Sequence, residues 1–270
     1  MEPVEKRADL IKIPTAPGGV LQTVPVEPGQ RILNSEIKVE LCEVDDATRI
    51  AEGLYTCFPE VWWARMEPPE IRPPSLQTRV TRLTTRIRPT FSNPNMKWIK
   101  AVLTASNEIV GVAGWMGPNN PIKNIWSRSA QSFYGWDKQN NWTEDEIEEM
   151  WKGASEAWDV QIEKDEKLRA DLMGDEPHWY LAPLFVWPQY QGKGVGKLLL
   201  DWAIKQADAT DPVTPLYLES MPNARALYMH VGFVPQGGRT FIRRGPAIVR
   251  GLEAEEDKDV TKEGNAVLEI

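Results

Sequence analysis

Val186-Trp-Pro-Gln-Tyr-Gln-Gly-Lys-Gly-Val-Gly-Lys-Leu-Leu-Leu200 is the stretch on which the reading of this chain turns. The residues leading into it, His178-Trp-Tyr-Leu-Ala-Pro-Leu-Phe-Val-Trp187, are apolar and β-prone and predict a strand. A glycine-rich turn follows, and then a helix from about Gly194 to Ala209. Such a strand–turn–helix is an anion cradle. Glycines let the backbone approach a ligand closely, and the first N–H groups of the helix have no partner within it. Lys193 and Lys197 add positive charge. Two common phosphate motifs fail at defined residues. A P-loop needs a hydroxyl after Gly-Lys, but Leu198 follows Gly196-Lys197. A dinucleotide fingerprint needs a small residue at its closing position, where Lys197 or Leu199 stands instead.

Working outward, Pro215–Ser220 predicts a short strand, Ala224–His230 a helix ended by Gly232, and Arg239–Val249 a last strand or hairpin. Upstream, Ile37–Cys42 alternates as a strand, and Asp45 or Asp46 caps a helix running to Phe58, where Pro59 stops it. Four prolines between 67 and 74 forbid regular structure. Ser75 then caps a helix with Leu76, Val80, Leu83 and Ile87 on one face. Arg79, Arg82 and Arg86 read as its solvated sides. Trp98–Ala105 and Glu108–Met116 form a hairpin, and 117–142 looks irregular. Thr143 and Glu146 make a capping box. The helix they open is expected to carry Ile147, Met150, Trp151, Ala154, Trp158, Ile162 and Leu168 on one stripe.

Net charge is −8, from 31 Lys+Arg against 39 Asp+Glu, which disfavours a sequence-independent nucleic-acid binder. Two histidines, His178 and His230, are too few for a His-based metal site. Cys42 and Cys57 fit no metal spacing and read as buried thiols. No apolar run approaches the roughly 20 residues of a membrane span, and Met1-Glu-Pro-Val-Glu-Lys-Arg7 lacks the apolar core of a signal peptide. The expected setting is intracellular and reducing, cytoplasmic with the nucleus left open. Residues 1–35, rich in Pro and Gly, read as a flexible arm, and 251–270 as an acidic tail.

Gln191, Gly194 and Gly196 match Q/R-x-x-G-x-G/A, and Leu227-Tyr-Met-His-Val-Gly-Phe233 matches L-Y-x-x-x-G-F. With a strand directly before the first motif, and one helix and one strand between the two, the chain resembles the GNAT superfamily of N-acetyltransferases. Its Tyr217-Leu-Glu-Ser-Met-Pro222 looks like the branch common in filamentous fungi. The resemblance is strongest over 178–235. It implies an α/β three-layer fold over 36–250, with a central mixed, mostly antiparallel sheet and helices on both faces. Residues 118–176 would then be a Trp-rich helical insertion, placed to wall the acceptor site.

The resemblance implies acetyl-CoA as the cofactor. Backbone groups of Leu184, Phe185 and Val186 would hold the pantetheine arm as an added strand does. The amides of Gln191, Gly192, Lys193, Gly194, Val195, Gly196 and Lys197 would hold the pyrophosphate. Tyr228 would face the thioester sulfur and protonate the departing thiolate, and Glu219, ending its strand, would take the proton of the attacking amine. His178 is an outside candidate for that base. One departure stands out: many members carry Asn seven residues before the Tyr, where this chain has Met221, with Asn223 out of register. The implied reaction is direct attack of an amine on the thioester, with no metal and no covalent enzyme intermediate. A small-molecule amine is the favoured acceptor. A lysine or N-terminal amine of a protein, and a non-catalytic acyl-CoA-binding module, are the alternatives. No nucleic-acid or membrane partner is expected, and the sequence does not give the oligomeric state.

Overall fold

The computed structural model describes residues 30–119 and 121–245. Most of the expected N-terminal arm, and the acidic tail, lie outside them. The chain enters through β1 (Ile37–Leu41) and a helical turn over Val44–Asp46. It continues into α1 (Ala47–Cys57), α2 (Glu60–Met66) and α3 (Leu76–Ile87). The hairpin β2 (Met96–Leu103) and β3 (Ile109–Met116) follows. The insertion carries α4 (Ala130–Phe133), α5 (Trp136–Gln139), α6 (Glu144–Trp151) and α7 (Glu156–Met173). Then come β4 (Trp179–Val186), α8 (Val195–Asp208), β5 (Leu216–Glu219), α9 (Arg225–His230), β6 (Val234–Pro235) and β7 (Thr240–Arg243).

Among the described residues the strands form one sheet in the order β1-β2-β3-β4-β5-β7-β6. Every neighbouring pair is antiparallel except β4 and β5. This is the mixed, mostly antiparallel sheet that the sequence led us to expect. Side chains alternate across it. Trp98, Val112, Tyr180 and Tyr217 face α1, α3 and the insertion. Ile99, Ala113, Leu181 and Leu218 face α8, whose Leu199, Leu200 and Ala203 are fully buried against them. The sheet is therefore the middle of three layers.

Three expectations need completion or correction. Pro59 stops the first helix as expected, α1 ending at Cys57 with Phe58 as its C-cap, but its extended backbone also N-caps a second helix, α2, that the sequence reading did not give. The Thr143–Glu146 capping box is present, but its helix ends at Trp151. Gly153 takes φ +96°, and Ser155 spends its N–H on Met66 O (2.9 Å) and its hydroxyl on Arg65 O (2.9 Å). The chain is thus pinned to α2 before α7 starts, and Leu168 falls outside the buried stripe. Third, the arginines of α3 are not a solvated face. Arg79 and Arg86 are buried and share the carboxylate of Glu67, at 2.7 and 3.5 Å. Arg82 bridges to Lys152 O and Glu149 of the insertion.

Candidate active site

The site begins where β4 leaves β5. The parallel pairing stops at Leu181 with Leu218, while β4 continues against β3 as far as Val186. Between these points the β3–β4 register slips by one residue, and β4 bulges at Ala182–Pro183. Gly114 lies opposite the bulge. A Cβ there would sit 2.7 Å from Ala182 O, so only glycine admits the approach. Beyond the bulge β4 presents an open edge towards the end of β5.

Which main-chain groups face that edge follows from alternation. Trp187 N bonds to Val110 O (3.0 Å), so the Phe185 main chain pairs with β3, and Leu184 and Val186 turn to the open side. This corrects the expectation for Phe185: its peptide groups are spent within the sheet. Its ring instead packs edge-on to Trp187 and lines the cavity described below.

The glycine-rich turn holds Gly192 at φ +71° and Gly194 at φ +86°, conformations that disfavour any side chain. Gly194 caps α8. Among the described residues, no acceptor lies in hydrogen-bonding geometry for the amides of 192–197. Leu198 N, to Gly194 O at 3.3 Å, is the first of the helix to find one. A row of unspent amides at the positive end of a 14-residue helix suits a diphosphate. The Gln191 side chain turns back and donates to Val186 O (2.9 Å), fixing the turn to the strand. The Lys197 ammonium pairs with Asp201 (2.6 Å), and that of Lys193 lies over the Tyr190 ring. Both ammonium groups therefore already have partners on the protein, which the backbone amides of the turn do not.

One cavity of about 930 Å³ joins this cradle to Leu184, Val186, Glu219 and Tyr228. Tyr228, on α9, is buried with its ring edge-on to Phe233. Burial alone pushes its phenol far above the ordinary value, so it stays protonated. Glu219 ends β5, and its Oε1 is buried with no partner among the described residues. Burial raises its pKa to about 7, and the charge of Asp165 pushes the same way. The nearby hydroxyls of Tyr180 and Tyr217, and then Arg169, pull it down. A carboxyl poised near neutrality and a protonated phenol thus line one cavity.

The rest of the cavity wall comes from residues that the motifs did not flag. Trp62, Trp63 and Phe58 contribute from the α1–α2 region, and Trp126, Trp158 and Asp165 from the insertion. Only the abundance of tryptophan pointed towards them. Met221 and Asn223 both line the cavity, and His230 borders it. His178 is buried elsewhere, its Nδ1 2.7 Å from Glu176 O, and burial lowers its pKa. Burial also raises the Cys57 thiol, which lines the cavity, to about 12, so it carries no thiolate at neutral pH. Among the described residues no cluster of His, Cys, Asp and Glu is arranged to hold a metal, and no helix is long and apolar enough to cross a membrane.

Residues 144–250 match the family described as the acetyltransferase (GNAT) domain. No curated protein matches the chain in sequence. Among solved structures, the fold is similar to a "histone acetyltransferase HPA2 and related acetyltransferase" from Corynebacterium glutamicum. Identity is 21%, the match covers 78% of this chain and 97% of that one, and the TM-score is 0.49. Arylalkylamine N-acetyltransferase 2 from Aedes aegypti is 18% identical over 74% of this chain and 83% of that one, with TM-score 0.45. A GNAT family acetyltransferase from Brucella melitensis in complex with acetyl-CoA is 12% identical over 79% and 91%, with TM-score 0.39.

Proposed function

We propose that this chain, whose residues 144–250 match the acetyltransferase (GNAT) domain, is a GNAT acetyltransferase that moves the acetyl group of acetyl-CoA to the primary amine of a small molecule. The observation that carries this reading is the one cavity lined by Gly192 and Gly194 to Lys197, whose amides are unspent among the described residues, together with Glu219 and Tyr228. When bound, acetyl-CoA supplies an activated acyl group whose leaving group is a thiolate of intrinsic pKa about 8.5.

Each residue then has a task that its surroundings support. The amides of 192–197 bind the diphosphate, and the open-edge groups of Leu184 and Val186 orient the pantetheine arm as a further strand would. Glu219, with its pKa raised to about 7, accepts the proton of the incoming ammonium at its carboxylate. Tyr228 holds a proton at its phenol oxygen and delivers it to the departing sulfur. A small acceptor is favoured because the insertion adds Trp126 and Trp158 to the wall of the same cavity that Glu219 lines.

The test is calorimetric binding of acetyl-CoA, followed by release of free CoA thiol across a panel of amines. Tight binding with turnover on a small amine, reduced in Tyr228→Phe, is the expected result. Turnover only on a lysine peptide or a protein N-terminus would move the acceptor to a macromolecule. Binding without any turnover would leave an acyl-CoA-binding module.

A further inference from the structure

The polar side chains that the insertion brings to the cavity are largely engaged with one another or with the main chain. Trp158 Nε1 donates to Trp126 O (2.6 Å), and Trp63 Nε1 to Leu54 O (3.4 Å). Asn124 donates to the Tyr180 hydroxyl (2.9 Å) and accepts from Trp126 N (3.0 Å). Gln161 donates to Asp165 (2.9 Å) and accepts from Arg65 (3.2 Å). Asp165 also takes two bonds from Arg239, at 3.1 and 2.7 Å. Of the two carboxylates on this wall, Asp165 is paired with Arg239, and Glu219 is the one with no ion pair among the described residues, with the hydroxyls of Tyr180 and Tyr217 beside it. The same cavity is lined by Trp62, Trp126 and Trp158 and by the aliphatic side chains of Leu54, Leu83 and Ile162.

A wall of this kind recognises one cation and little else that is polar. We infer that the acceptor is a primary monoamine carried on an aromatic or branched apolar body, its nitrogen at Glu219 and its body against Trp62, Trp126 and Trp158. A polyamine would bring a second ammonium into a space whose other carboxylate is already neutralised by Arg239, leaving a buried charge unpaired. An amino sugar would bring several hydroxyls to side chains that are already engaged with one another, and those it could not pair would cost free energy on burial. An apolar body meets neither cost, and the tryptophan faces attract the ammonium as it enters.

This inference rests on the acetyltransferase reading, and one experiment separates the two. Acetyl-CoA binding is measured first by calorimetry. Then kcat/KM is compared for phenylethylamine, a branched alkylamine, putrescine, spermidine, glucosamine and a lysine peptide. The monoamines with apolar bodies are expected to exceed the polyamines and the amino sugar by at least about 100-fold. A gain-of-function variant guards against simple misfolding. Ile162→Asp adds a second carboxylate to the wall and should raise kcat/KM for putrescine relative to phenylethylamine by about tenfold or more. Equal turnover of polyamines or amino sugar would overturn the inference and leave the acetyltransferase reading standing. So would acetyl-CoA binding with no acetylation of either apolar amine. Loss of acetyl-CoA binding itself would overturn both.

Discussion

Arg239 grips Asp165 with two hydrogen bonds from one guanidinium nitrogen, 3.1 and 2.7 Å long, and so fastens the insertion to the catalytic end of the sheet. Asp165 belongs to α7. Arg239 immediately precedes β7, and its carbonyl accepts from Ser220 N (2.7 Å), the residue after Glu219. The pair therefore ties α7 to the end of β5 and sets part of the charge that Glu219 feels.

Asp165→Asn should move the pH dependence of turnover. The Asp165 carboxylate holds the Glu219 pKa up, so removing its charge lets Glu219 ionise at lower pH. The acidic limb of the kcat–pH profile is expected to shift downward. An unshifted limb with merely lower kcat would assign Asp165 a packing role only.

Glu219 itself sets the second prediction. With a pKa raised to about 7, it is the conjugate acid below neutrality and the base above it. Turnover should rise with pH to half its plateau near pH 7, and Glu219→Gln should lose this limb along with roughly 10²–10⁴-fold in kcat. Linkage gives the sign for stability. A carboxyl whose folded pKa lies above its unfolded value binds its proton more tightly in the native state, so stability falls as pH rises from the unfolded value through about 7. Glu219→Gln should remove that decline, making the variant less active yet relatively more stable at pH 8. Thermal unfolding at pH 5 and pH 8 checks both signs.

Tyr228→Phe should separate chemistry from binding. The ring keeps its contacts with Phe233 and Phe241, so stability should change little. Loss of the hydroxyl is expected to lower kcat about 100-fold with the affinity for acetyl-CoA unchanged. Burial also holds this phenol protonated far above neutrality, so wild-type kcat should show no fall from Tyr228 ionisation up to pH 10.

The cradle glycines should differ from one another. Gly194 has open space around a Cβ but sits at φ +86°, so Gly194→Ala strains the backbone and should cost about 1 kcal/mol of stability along with acetyl-CoA affinity. At Gly196 a Cβ meets only side-chain ends, the nearest being Leu227 Cδ2 at 3.0 Å, and no positive φ is involved. Gly196→Ala should be tolerated, with melting temperature and affinity close to wild type. Calorimetry and thermal melts on the two variants give the comparison.

What the sequence disclosed was local, and what it withheld was not. The turn at 191–196 could be read because glycine spacing and the flanking strand and helix are written in consecutive residues. The capping box at Thr143 was legible for the same reason. The end of α6 was hidden because the apolar stripe continues in phase past Gly153, while the groups that pin Ser155 lie about ninety residues upstream, at Arg65 and Met66. The surroundings of Glu219 were equally out of reach, since Asp165 stands more than fifty residues before it. The arginines of α3 were misjudged for a related reason: charge predicts exposure until a partner arrives, and their partner is Glu67, in the proline-rich segment read as featureless.

That cluster yields a last prediction. Glu67 also accepts the Tyr55 hydroxyl (3.0 Å), and the Arg86 guanidinium stacks 4.5 Å from the Trp151 ring centroid. Arg79 Nη2 and Arg86 Nε and Nη1 already lack partners among the described residues, so the carboxylate is the anion that compensates two buried cations. Glu67→Gln would leave both uncompensated and should destabilise the protein by about 3–5 kcal/mol. The double variant Glu67→Gln with Arg86→Met removes one cation with the anion, and it should recover much of that loss because Met fills the space against Trp151 and Trp158 without a charge. Denaturant unfolding of the wild type, the single and the double variant measures the recovery. If the double variant were no more stable than the single, Glu67 would be holding geometry between α2 and α3 and not balancing charge.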